Sequence, residues 1–304
     1  AIQIIVLVTQ KNYYLYIIFT PIFTIITNLL TAFVTKKYYP QYKPEGNLPP
    51  EERKKIKELL KSLIGHKLGA VVLNATDNIV ISAFLGLTML AIYGNYYYIM
   101  NAIFSLIYII FQSMVAGIAN SIIINSKEHN KNMLFNLLFA FSILIGVCSC
   151  CFAGLYQIFM RIWVGEELML HTYYVILFIL YFYIRSIRYV ILSFKDACGM
   201  WKADFLKPYI ESIVNLVLNI LLVYFTKQLW GIIVSSVFSM LFIALPWETN
   251  VLFKNYFEES PIKYYLKLFF YLVINAAIIS LIGFFSFLID NSISNDYISL
   301  IIVL

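Results

Sequence analysis

An all-α, polytopic membrane protein is the fold class predicted here, and three observations predict it. Of 304 residues 62% are hydrophobic and only 12% charged, whereas a soluble domain is about a quarter charged. The apolar runs are about 20 residues long, as helices crossing a ~30 Å hydrocarbon core require. The basic residues gather between those runs. The ten-residue alternating segments of a transmembrane barrel do not occur.

In chain order, residues 1–9 read as the tail of a span, Lys11-Asn12 as a tight outer turn and 13–34 as a complete span. The run Lys36–Lys61 is the only long hydrophilic stretch and holds eight basic residues. Basic residues near membrane ends favour the cytoplasmic side, so this linker is expected inside. Pro49 and Pro50 can start a helix there, with Glu51 and Glu52 suiting its positive end. Ile56, Leu59, Leu60 and Leu63 share one face, which predicts an amphipathic helix on the inner membrane surface leading into a span. Spans are expected at 62–85, 89–114, 133–160, 172–194, 208–226, 229–250 and 264–289, with a last one starting near 297.

Alternating sides from an inside linker, the inner segments hold 16 of the 22 Lys and Arg, the outer side three (Lys11, Arg161, Lys227) and the spans three (Lys67, Arg185, Arg188). One missed crossing would scramble this bias. The outer loops are short, the longest being RIWVGEELMLHTYY after Met160. The start at Ala1 and the stop at Leu304 inside an apolar run read as a piece of a longer chain.

The net charge of +6 sits in loops between spans, where topology and anionic headgroups account for it, so nucleic acid is not a partner. Three of the four cysteines, Cys148, Cys150 and Cys151, cluster inside one span with no ligand-spaced His or acid, which reads as packing and not as a metal site. No Walker loop, dinucleotide fingerprint or zinc-protease motif occurs, so no cofactor is expected.

A charge inside hydrocarbon costs at least ~2.5 kcal/mol, so intramembrane ionisable residues face a cavity or a partner. Asn74, Asp77 and Asn78 form a polar stripe on one face. They would make a proton or cation site or a substrate contact, or else join helices by hydrogen bonds. Arg185 and Arg188 lie one helical turn apart, roughly 9 to 14 Å from the inner end of their span. Two guanidinium forks on one face suit a diphosphate; the alternative is an ion pair with Glu211, whose stripe Asn215 and Asn219 continue at intervals of four. His66 and Lys67 read as snorkelling residues and Tyr96–Tyr98 as interfacial belt. Asn95, Asn101, Ser105 and Gln112 would line a cavity or join helices.

The segments YYPQYKPEG, KELLKSLIGHKLGAVVLNATDNIVIS, IYGNYYYI, RSIRYVILSFKDACGMW, KPYIESIVNLVLNI and ALPWETNVLFKNYF, taken in order, resemble Gram-positive polysaccharide flippases. These are relatives of the O-antigen translocases, in the superfamily that includes multidrug and toxin extrusion (MATE) transporters and the lipid II flippase. The resemblance runs from about residue 1 to 290 and implies two six-helix bundles rocking around a central cationic cavity. Residues 1–34 would end the first bundle, 35–61 form the cytoplasmic linker, 62–250 the second bundle and 251–304 additional helices. The positions matching the family's cationic cavity are Arg185 and Arg188.

The function expected is flipping of an undecaprenyl-diphosphate-linked oligosaccharide across a bacterial plasma membrane by alternating access, driven by Na+ or H+, without catalysis. One rival is a cation-coupled multidrug exporter of the same fold, relying on Asp77 and Glu211. Another is a membrane polysaccharide polymerase or ligase, an enzyme that would carry a large outer loop.

Overall fold

The computed structural model describes residues 13–41, 46–292 and 296–303; side chains at 13, 61–63, 66–68, 70, 72–74, 291, 296–297 and 301 are outside that description. The expected features at 1–9 and Lys11-Asn12, and the side chains of His66, Lys67 and Asn74, therefore lie outside the described residues. Among the described residues every regular element is helical.

The chain divides into two compact units, Ala1–Lys55 and Ile56–Leu304. In the first, α1 (Tyr13–Tyr38) is apolar through its length and ends on Lys36 and Lys37, cations that complement the negative end of the helix dipole. Helix α2 (Pro50–Phe84) starts in the first unit and continues in the second. It begins at Pro50 with Glu51 and Glu52 in its first turn, where proline's missing N–H costs nothing. The helix expected to lead into the span at 62–85 and that segment itself form one uninterrupted 35-residue helix. Nothing between Pro50 and Phe84 supplies the proline or positive-φ glycine that would stop it.

In the second unit, Gly86 adopts φ 89° and turns the chain into α3 (Leu87–Ile124), a conformation that a Cβ would strain. Ser126 caps α4 (Lys127–Val164) by accepting a hydrogen bond from the His129 N–H at 3.2 Å. After a short 3-10 turn at Glu166–Leu168 come α5 (Thr172–Ala197), α6 (Lys207–Thr226), the long α7 (Trp230–Phe257), α8 (Ile262–Ser292) and α9 (Asp296–Val303). Among the described residues seven helices are long and apolar enough to cross a membrane: α1, α3, α4, α5, α6, α7 and α8. That architecture is consistent with a multi-pass membrane protein. The 62–85 segment of α2 is not among the seven, because His66, Lys67, Asn74, Asp77 and Asn78 dilute its apolar character.

Helix α5 is the centre of this unit, packed against α3, α4 and α7. Its Phe178, Phe182, Ile187, Ile191 and Phe194 are almost wholly buried. Helix α6 lies on α7, and α8 and α9 lie on α4. Gly69 of α2 lets Pro208 of α6 approach so closely that a Cβ would sit 2.8 Å from the Pro208 Cβ. The short connections make successive helices antiparallel. The end bearing the α3–α4, α5–α6 and α7–α8 turns carries Lys127, Lys131, Lys195, Lys202, Lys207, Lys254, Lys263 and Lys267; the opposite end carries Arg161 and Lys227.

Helix α7 widens to π geometry at Met240–Ala244 and again at Phe253–Phe257. Pro246 explains the first: it has no N–H for the carbonyl one turn back, and its ring needs space that the wider turn provides. The widened turn begins beside Asp77.

Candidate functional site

Two polar layers interrupt the apolar interior of the second unit. One, toward the end opposite the lysine-rich one, is built around Asp77, seven residues and so about 10 Å from the end of α2 at Phe84. Asn219 Nδ2 donates to Asp77 Oδ1 at 2.7 Å and Ser236 Oγ donates to Oδ2 at 3.1 Å. Asn219 also donates to Asn215 Oδ1 at 3.1 Å, and Asn215 donates to Ser236 Oγ at 3.1 Å. Asp77 is 9% exposed and receives hydrogen bonds from two other helices. Asn219 Oδ1 is buried with no hydrogen-bond partner. A buried acceptor left unsatisfied costs ~1–3 kcal/mol, so it marks a place for a water or a cation.

A cavity of about 40 Å³ opens on this cage, lined by Asp77, Asn78, Tyr93, Tyr97, Tyr181, Asn215, Ser236, Ser239 and Met240. That is space for about three waters. Tyr97 connects the cavity to Arg185, whose Nη1 donates to the Tyr97 hydroxyl at 3.3 Å and to Asn101 Oδ1 at 3.1 Å. The guanidinium lies 3.8 Å from the centre of the Phe104 ring and 5.9 Å from that of Tyr181, a cation–π arrangement. Among the described residues no carboxylate lies within ion-pair distance of Arg185. It lies twelve residues before Ala197, about 18 Å from that end. That is deeper than expected, because α5 runs on past the anticipated boundary at 194.

The other layer lies toward the lysine-rich end and is closed. Arg188 forks onto Glu248, Nε to Oε2 at 2.7 Å and Nη2 to Oε1 at 2.9 Å, and its Nη1 reaches Glu211 Oε1 at 3.3 Å. Lys207 bridges the same acids, at 2.9 Å from Glu211 and 2.7 Å from Glu248. Two cations and two carboxylates cancel. Lys195 pairs separately with Asp204 at 2.6 Å. Glu248 is completely buried and Glu211 2% exposed.

The stripe Glu211, Asn215, Asn219 is therefore shared between layers, Glu211 serving the ion cluster and the two asparagines Asp77. Arg185 and Arg188, expected to act together, point into different layers. Glu248, Lys207, Tyr97, Tyr181 and Ser236 were not singled out in the sequence as site residues. Glu248 had a usable signal, a carboxylate inside the apolar run of 229–250. Tyr97 had none, since the run Tyr96–Tyr98 looks interfacial, whereas Tyr181, mid-way along α5, stood one turn from Arg185 on the same face. Comparison with family models, with curated proteins and with solved structures found no match.

Proposed function

We propose that this chain contributes the second helical bundle and additional helices of a MATE-like flippase that moves a polyprenyl-diphosphate-linked oligosaccharide across a bacterial plasma membrane. The observation that carries the reading is Arg185: a guanidinium about 18 Å from the end of its helix, held by neutral partners and an aromatic face, with no carboxylate among the described residues to cancel it. Keeping such a cation inside a bundle is costly without an anion to meet it. A diphosphate supplies that anion and accepts both arms of the fork. Arg188 holds the ion cluster in this reading, and the diphosphate contact falls to Arg185 alone.

The test is transport of lipid-linked oligosaccharide by the full-length protein carrying Arg185→Lys. Lysine keeps the charge but loses the bidentate geometry. Transport should fall at least tenfold, the factor for one lost interaction of ~1.4 kcal/mol, at an unchanged protein level in the membrane. Wild-type transport by Arg185→Ala would refute the assignment.

The Asp77 cage favours a second reading, a cation-coupled exporter of the same fold. Asp77 and Ser236 Oγ are hard oxygen donors lining the cavity of about 40 Å³, the donor type that alkali cations select. Asp77→Asn decides its weight. Transport that stays dependent on a Na+ or H+ gradient in that variant would remove Asp77 from coupling.

A further inference from the structure

A second open groove lies on the outer face of α7, away from both polar layers. It has a volume of about 610 Å³ and runs along Phe242, Ile243, Pro246, Trp247, Asn250 and Lys254, with Ala203 and Ile210 as its opposite wall. The α7 residues recur at intervals of four, so they form one continuous strip on successive turns. Its chemistry changes in one direction. Phe242, Ile243 and Pro246 are apolar, Trp247 is amphipathic, Asn250 is an exposed amide and Lys254 an exposed cation.

Phe242 to Lys254 is twelve residues, about 18 Å along the axis, against ~15 Å for half of a ~30 Å hydrocarbon core. The strip thus runs from mid-membrane to headgroup level within one leaflet, the one at the lysine-rich end. By the bias of basic residues that leaflet faces the cytoplasm.

Among the described residues Lys254, Lys263 and Lys267 are the lysines of this end without an ion pair, and of the three only Lys254 lines the groove. Lys127, Lys131, Lys195, Lys202 and Lys207 at the same end each hold a carboxylate. Among the described residues Lys254 forms no such pair, and the Asn250 side chain above it makes no hydrogen bond. A free ammonium beside a free amide at headgroup depth, above an apolar trough and next to a tryptophan, complements a phosphodiester with an acyl chain beneath it.

We propose that the α6–α7 groove is a binding site for an anionic phospholipid of the inner leaflet. The phosphodiester lies on Lys254 and Asn250, and one acyl chain lies along Trp247, Pro246 and Phe242. The site is separate from the Arg185 chamber and does not depend on the transport reading.

Trp247 supplies the readout. The full-length protein is reconstituted in neutral phosphatidylcholine vesicles containing either brominated phosphatidylglycerol or brominated phosphatidylcholine. The difference in quenching between wild type and Trp247→Phe isolates this residue. Phosphatidylglycerol should quench it at about fivefold lower mole fraction than phosphatidylcholine, the preference that one lysine at an anionic surface confers. The preference should vanish in Lys254→Gln and persist in Lys254→Arg. With Lys254 unchanged it should weaken at 0.5 M salt, where the screening length is about 4 Å, so the charge dependence is read without the Lys254 variants.

Equal quenching by the two lipids would reduce the groove to ordinary lipid contact and overturn the proposal. A preference that survives both Lys254→Gln and high salt would do the same. Absence of quenching by either lipid would mean that protein covers the groove, which also overturns it.

Discussion

The ion cluster around Glu248 and the chamber around Asp77 are built on shared helices, α5, α6 and α7, yet they handle buried polarity in opposite ways. In the cluster every charge has a counter-charge within 3.3 Å and the acids are sealed from solvent. Around the chamber, among the described residues, Arg185 has only neutral partners and the Asn219 amide oxygen has none, and the cavity has space for water. A fully satisfied network holds helices together, whereas unsatisfied groups beside a cavity are poised to meet something else. The contrast teaches that intramembrane charge by itself does not mark a binding site. Two arginines one turn apart fall on either side of the distinction.

The largest effect that can break the comparison is expected at Glu248. Removing it leaves Arg188 and Lys207 with Glu211 as their one remaining acid and so one buried cation uncompensated, and Glu248→Ala should destabilise the protein by ~3–5 kcal/mol, read as loss of folded protein in a detergent thermal-shift assay. Replacing Arg188 and Glu248 together by Met and Leu should recover part of that loss. A stable Glu248→Ala protein would show that the cluster is not what holds α5 to α7.

Arg185→Gln should do the opposite, costing transport while lowering stability by about 1 kcal/mol, since only hydrogen bonds to neutral groups are lost. If its melting temperature fell as far as that of Glu248→Ala, the two layers would not differ in kind.

A smaller effect than at Glu248 is expected at the joint that brings Asp77 to Asn219. Gly69→Val pushes a side chain into Pro208, where even a Cβ would be too close, so ~1–3 kcal/mol should be lost through overpacking. Cation dependence of transport should weaken with it.

The smallest is expected at the exposed rim. The Lys127 ammonium, 2.8 Å from Glu258, holds that carboxyl below its usual range. A lowered folded-state pKa gives stability that is present above the unfolded pKa and lost as pH falls through the folded one. Both side chains are open to solvent, so screening leaves little. Glu258→Gln should leave the thermal midpoint unchanged within error at pH 7 and at pH 4, and a clear pH-dependent shift would show that this pair is coupled to the buried cluster.

Much of the scaffold was legible because it depends on local chemistry. Long apolar runs, the Pro50 start with its two glutamates and the lysine bias between helices all follow from neighbours in sequence. The helix starting at Pro50 runs into the 62–85 segment without interruption, since the change from polar to apolar composition there is not a change in helical propensity. The polar stripe of α6 was also legible, because residues four apart share a face whatever lies opposite.

What lies opposite is where sequence reasoning stopped. Arg188 takes Glu248 from sixty residues away and Asp77 takes Asn219 from 142 away, pairings that no periodicity encodes. Composition and pattern by themselves determined an all-helical chain with membrane-length apolar helices and a few polar residues that had to face inward. Only the tertiary structure decided which of those residues neutralise one another and which remain open to a cavity. The reason is physical: the cost of burying a charge belongs to the residue, but its relief depends on the distance and orientation of groups that packing alone brings together.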